Sequence, residues 1–90
     1  MLDIYYTSKF KKDYKKIIKQ GKKTSELEKV LGYLQQQNKL PEKYKDHLLT
    51  GNYTGLRECH INPDWLLIYK IDQEKLILAL ARTGSHSELF

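Results

Sequence analysis

Apolar positions along this chain change their period twice. Leu2, Ile4 and Tyr6 alternate with Asp3 and Tyr5, which is the period of a short strand. Phe10, Tyr14, Ile17 and Ile18 then recur at helical spacing. Ser8 is placed to cap the helix they predict, and Gly21 to end it. In "SELE" (25–28), Ser25 and Glu28 have the spacing of a capping box. Leu27, Val30, Leu31 and Leu34 give the stripe of a second helix, which fades in "QQQN" and ends before Pro41. The later half returns to a strand pattern. "YTGLRECHI" (53–61) is strand-like, "NPD" (62–64) is turn chemistry, and "WLLIYKI" (65–71) is nearly all apolar, as a central strand covered on both faces should be. After a second turn at "DQE", "KLILALAR" (75–82) reads as a further strand, with Leu76, Leu78, Leu80 and Arg82 on one face.

Three strands joined by tight turns predict an antiparallel meander. The expected architecture is β-α-α-β-β-β, an α+β fold with two N-terminal helices packed on one face of a small antiparallel sheet. The chain is the length of one domain, 1–90, and shows no repeat, linker or low-complexity segment.

Charge adds a polarity that the apolar pattern does not show. The net charge is +5, yet residues 1–24 hold eight lysines against Asp3 and Asp13, while residues 25–90 hold eight Lys and Arg against nine Asp and Glu. The excess therefore lies in the first quarter, where Lys12, Lys15, Lys16, Lys19 and Lys23 project from the helix side opposite the apolar stripe. Such a face suits an anionic partner, and it equally suits a solvated surface. No apolar run approaches the roughly 20 residues of a membrane span, and no apolar stretch follows a basic start. The single cysteine, Cys59, has no partner for an internal disulfide, which fits a reducing, cytoplasmic setting. Its expected role is that of a small buried hydrophobe.

The histidines are His47, His60 and His86. In an antiparallel meander the end of the first strand and the end of the third share one edge, so His60, Asp64, Arg82 and His86 are expected to cluster. Histidine exchanges protons near neutral pH, and arginine holds a phosphate through paired hydrogen bonds. Together they suit cleavage of RNA, whose 2′-hydroxyl supplies an internal nucleophile that DNA lacks. Each histidine taken singly reads more plainly as a surface residue. A metal site is the weaker reading, since no histidine pair has helical spacing and there is no cysteine pair. Trp65 is most simply core, with base stacking as the functional alternative. Tyr44, Tyr53 and Tyr69 read as packing.

"YKDHLLTGNYTGLRECHINPDWLLIYKI" followed by "ARTGSHSELF" resembles the YafQ branch of the RelE-like toxins of bacterial type II toxin–antitoxin systems. The likeness is close over the C-terminal half and extends to the layout of the N-terminal half. It implies a microbial-RNase-like α+β fold and a ribosome-dependent mRNA endoribonuclease that cuts in the A site without a metal or other cofactor. It also implies a cognate antitoxin, contact with ribosomal RNA and mRNA, operator DNA as a target only of the toxin–antitoxin complex, and no membrane partner. Carried over by motif, His47, His60, Asp64, Arg82 and His86 are the expected catalytic residues. His86 is expected to protonate the 5′ oxygen, Asp64 or His47 to take the 2′-hydroxyl proton, and Arg82, helped by His60, to steady the phosphorane. Trp65, Phe90 and Arg57 are expected substrate contacts, although strand alternation puts Arg57 opposite His60. Lys15 and Lys19, with their neighbours on the basic helix, are expected to meet ribosomal RNA. Gly84 is expected to turn the chain so that Arg82 and His86 face one phosphate. The alternative class is a non-catalytic nucleic-acid-binding partner that acts only within a repressor complex.

Overall fold

Thr7, rather than Ser8, starts the first helix. In the computed structural model, which describes residues 1–90, the Thr7 hydroxyl accepts the Phe10 N–H at 3.1 Å and caps α1 (Ser8–Lys19). The same hydroxyl shares its proton between the carbonyls of Leu80 and Ala81, at 2.8 and 3.1 Å, so the cap is tied to the sheet as well. Phe10 and Ile17 are buried as expected, but Ile18 is 49% exposed and falls off the stripe. α2 (Thr24–Gln35) buries Leu27, Val30, Leu31 and Leu34. The capping box expected at Ser25 is not formed. The helix begins two residues earlier, with Lys23 at the cap, and Ser25 already lies inside the first turn. The capping box of this chain lies instead at Ser85 and Glu88, which open a short third helix, α3 (His86–Leu89), in the tail.

The sheet has five strands in the order β1-β5-β4-β3-β2. They are β1 (Asp3–Tyr6), β2 (His47–Leu48), β3 (Arg57–Asn62), β4 (Trp65–Asp72) and β5 (Ile77–Gly84). β3, β4 and β5 form the expected antiparallel meander. The sheet as a whole is mixed, which corrects the antiparallel expectation: β1 runs parallel to β5, which reaches it only after the chain has passed through both helices and the other three strands. His47 and Leu48, expected in a loop, form a two-residue strand against Glu58 and Arg57.

Both helices cover one face of the sheet, where 16 buried residues from Leu2 to Leu80 make the main core. The other face carries a small cluster of Leu66, Ile68 and Leu89, edged by Leu49, Tyr53, Leu56 and Ala81. β4 is therefore covered on both sides, and Trp65 to Tyr69 are all buried. β5 departs from simple alternation. Tyr69 pairs with Leu80 but Ile68 pairs with Arg82, which leaves Ala81 as a bulge. Plain alternation would send Arg82 toward the helices with Leu78 and Leu80. The bulge turns it to the face of Ile68 instead. Thr83 takes the helix-side place, where it is buried and accepts the Trp65 indole N–H at 2.7 Å.

Candidate active site

The strand registers place His47, Glu58, Ile68 and Arg82 in one row across the sheet face opposite the helices. The next row on that face runs from His60 through Leu66 to Gly84, and α3 follows directly. The expected grouping of His60, Arg82 and His86 at one end of the sheet is thus present in the topology. It comes as two neighbouring groups on either side of the apolar β4 residues, about two strand spacings or roughly 10 Å apart.

The first group is an imidazole–carboxylate–imidazole set. Glu58 is only 5% exposed, and one of its oxygens faces His47 Nε2 at 3.4 Å and His60 Nε2 at 3.5 Å. His47 Nδ1 lies 2.7 Å from the Lys45 carbonyl, so that nitrogen carries the proton and Nε2 is left toward Glu58. A carboxylate this buried needs cationic or hydrogen-bonding partners: the His60 ring can donate Nε2–H, whereas His47, whose Nδ1–H is given to Lys45, can donate from Nε2 only as the imidazolium. Glu58 was not among the sequence candidates, although the signal was present. Glu58 and His60 stand two apart on a strand, so they share a face.

The second group surrounds Arg82. Its guanidinium donates Nε–H to Asp13 at 2.7 Å and Nη2–H to the other Asp13 oxygen at 3.1 Å. The hydrogen bond to Asp13 chiefly, opposed by burial, raises the Arg82 pKa further above its ordinary value. Tyr53 stands beside Arg82, and its hydroxyl donates to the Leu89 carbonyl at 3.0 Å. The Phe90 ring stacks on His86, with centroids 4.9 Å apart, and meets Tyr53 edge-on at 5.3 Å. His86 and Phe90 are exposed, while Leu89 is buried. Glu88 fixes this tail to α1 by accepting from Gln20 at 3.3 Å and pairing with Lys16 at 3.5 Å. Its bonds to the Ser85 backbone and hydroxyl hold its carboxyl near pH 2, well below the ordinary carboxylate range.

Three expected site residues stand elsewhere. Trp65 is 0% exposed, with its indole N–H donated to Thr83 and the Lys22 ammonium 6.0 Å over its ring. It has no free face for a base, and its place is in the core. Arg57 lies on the helix side, paired with Tyr69 across the sheet and bonded to Asp46 at 3.0 and 3.4 Å. Asp46 also accepts from the Tyr69 hydroxyl, whose pKa is raised by burial and by that bond. Arg57 therefore braces the opposite face and does not join the histidines. Asp64 is exposed in the β3–β4 turn, where its N–H donates to the Asn62 side chain at 3.0 Å. Cys59 is fully buried, and burial pushes its thiol pKa up, which makes it a poor nucleophile. Lys15 and Lys19 are exposed on α1.

Two long helices over one face of a mixed five-stranded sheet, with imidazoles and an arginine on the other, define a small α+β domain equipped for acid–base chemistry on an anion. Residues 2–90 match the family model described as "Bacterial toxin of type II toxin-antitoxin system, YafQ", and the chain belongs to that family. It is 39% identical over 89 residues to the mRNA interferase toxin YafQ of Escherichia coli K12, covering 98% of this chain and 95% of that protein. The fold superposes on a metal-bound toxin from Helicobacter pylori with a TM-score of 0.94, at 48% identity and over the whole of both chains. It matches the toxin in the E. coli DinJ–YafQ complex with a TM-score of 0.88 and 38% identity, covering 100% of this chain and 99% of that one. In the present chain no group of three or more His, Cys, Asp or Glu side chains is placed to hold a metal ion, and the two neighbouring imidazoles are paired through Glu58 instead.

Proposed function

We propose that this chain is the toxin of a type II toxin–antitoxin pair and acts as an mRNA interferase, a ribosome-dependent endoribonuclease working in the A site. The observation that carries the reading is the face opposite the helices, which bears His47, His60 and Arg82 and on which α3 with His86 docks through Leu89, in a chain with relatives named mRNA interferase toxins. The reaction is an internal transesterification. The 2′-oxygen forms a bond to phosphorus as its proton passes to a base, and the bond to the 5′ oxygen breaks as an acid protonates that oxygen. The products are a 2′,3′-cyclic phosphate and a free 5′-hydroxyl. His86 is the acid: its ring face rests on Phe90 and the residue is exposed. His47 or Asp64 is the base, with Glu58 holding the His47 and His60 rings. Arg82 and His60 meet the phosphate, where a fixed cation stabilises charge gathering in the transition state. Phe90 lies beside the acid as a base contact.

The partners follow from the same reading. A cognate antitoxin, acidic in part, neutralises the basic toxin, and the pair together contacts operator DNA. Ribosomal RNA meets the lysines of α1 in the cytoplasm. No helix is long and apolar enough to cross a membrane. Mapping mRNA cleavage in a translating extract, with and without ribosomes, tests the proposal. Cuts at codon positions only when ribosomes are present are expected. Growth arrest that persists in both His86→Ala and Arg82→Ala would instead favour the non-catalytic repressor-partner reading.

A further inference from the structure

α1 has the sequence SKFKKDYKKIIK, in which Asp13 is the one acid among six lysines. An acid placed to relieve the lysines would lie on their exposed face. Asp13 does not. It stands three residues after Phe10 and four before Ile17, both buried, so it shares their side of the helix and looks onto the end of β5. Its side chain is only 15% exposed.

Three donors converge on the Asp13 carboxylate. Arg82 gives Nε–H to one oxygen at 2.7 Å and Nη2–H to the other at 3.1 Å, and the Thr83 backbone N–H reaches the first oxygen at 3.1 Å. This last donor exists because β1 ends opposite Leu80, which leaves the outer edge of β5 without a strand partner beyond it. The bulge at Ala81 sends Arg82 to the face of the histidines, and Asp13 then grips the Nε–Nη2 side of its fork. A guanidinium has five N–H donors. Asp13 takes one from Nε and one from Nη2, so one donor of Nη1 and the second of Nη2 remain side by side along the end edge, near Tyr53, which is the geometry a phosphate accepts. Lys side chains on the outer face of α1 supply charge but no such orientation.

We propose that Asp13 is a positioning residue for the cleavage reaction: it holds Arg82 at a fixed rotation on the histidine face, with one guanidinium edge presented to the scissile phosphate. The inference rests on the reading of Arg82 as the phosphate contact. It assigns Asp13 no contact with RNA.

The test measures single-turnover mRNA cleavage on ribosomes across toxin concentrations for Asp13→Asn, Asp13→Glu, Arg82→Ala and the Asp13→Asn/Arg82→Ala pair. Melting curves and the NMR signal of the Arg82 Nε–H accompany the rates. Asp13→Asn keeps an acceptor for Thr83 but loses the charged grip. Its plateau rate is expected to fall about 10- to 100-fold, the scale of a misplaced catalytic group. Its half-saturating concentration should not rise, since removing a negative charge does not weaken binding to RNA. The Arg82 Nε–H signal should broaden or shift, and Asp13→Glu should recover part of the rate. In the Arg82→Ala background, Asp13→Asn should cost nothing further. A folded Asp13→Asn that cleaves at the parent rate would overturn the proposal, as would an equal loss with and without Arg82. Should Asp13→Asn fail to fold, Asp13→Glu decides: a parent-like melt with a reduced rate supports positioning, and a parent rate overturns it. Arg82→Ala cleaving like the parent would remove the underlying phosphate role itself, an outcome distinct from the failure of Asp13 alone.

Discussion

Each residue on the histidine face is asked to do one thing, and its surroundings say how far it is prepared for it. His86 is exposed while Phe90 stacks on its ring, which suits the acid role proposed for it. His86→Ala should lower single-turnover cleavage by about 10²-fold or more, the usual range for losing a general acid, with the melting temperature nearly unchanged. Glu58 is buried between two imidazoles, so its removal acts through them. Glu58→Gln should loosen both rings, which NMR of the His47 and His60 ring protons would register as altered shifts and faster exchange. Arg57 gives the contrasting case. Arg57→Ala should lower the melting temperature by breaking its bonds to Asp46, yet leave the cleavage rate at the parent level, because it faces the helices. At this scale the sequence was an uneven guide. The histidines and Arg82 stood out by type. Glu58 and Asp13 carry the same information in their spacing, but a charged residue is mostly exposed, so its burial has to be seen. Trp65 failed as a contact because a large aromatic reads alike whether it packs or stacks.

The elements settle how the tail is held. α3 is a single turn, too short to persist alone, and it survives through its cap and its docking. Leu89 is 6% exposed against Leu66 and Ile68, so Leu89→Ala should cost about 2–5 kcal/mol, measured by denaturant unfolding. Phe90 is 53% exposed, so Phe90→Ala should reduce cleavage while costing far less stability. Leu89 is therefore the anchor, and the contact proposed for Phe90 falls to its exposed neighbour. Glu88 makes the docking depend on pH. Its carboxyl titrates near pH 2 in the folded chain, against an ordinary value of 4.5, so folding favours its charged form. That contribution is complete above pH 4.5 and disappears as pH falls toward 2. Amide exchange of Leu89 and Phe90 should accelerate across that window, and Glu88→Gln should show the acceleration already at neutral pH. The helices, the meander and its turns were legible because apolar period and turn residues are local signals. The third helix was not, since four residues carry too little periodicity to announce one.

The whole molecule is a polarised body, with lysines on one helix and imidazoles on the far sheet face. Lys15 and Lys19 are exposed, so Lys15→Glu with Lys19→Glu should leave the melt unchanged. The pair should weaken ribosome binding and flatten its salt dependence by at least about one unit of slope per lysine, measured by sedimentation across a salt series. An unchanged slope would mean that α1 does not face the RNA.

The chain by itself determined the class of elements, the single-domain size, the basic first quarter and the types of side chain available for acid–base work. Those properties belong to residues a few positions apart, and local spacing encodes them. Tertiary structure alone decided that β1 lies parallel to β5, that the Ala81 bulge turns Arg82 to the histidine face, and that Asp13 reaches it from α1. Each of these joins residues separated by about 70 positions or shifts a strand register by one, and neither kind of fact leaves a periodic trace. A one-residue shift reverses which face a side chain takes, and here it decides whether Arg82 faces the core or the histidines.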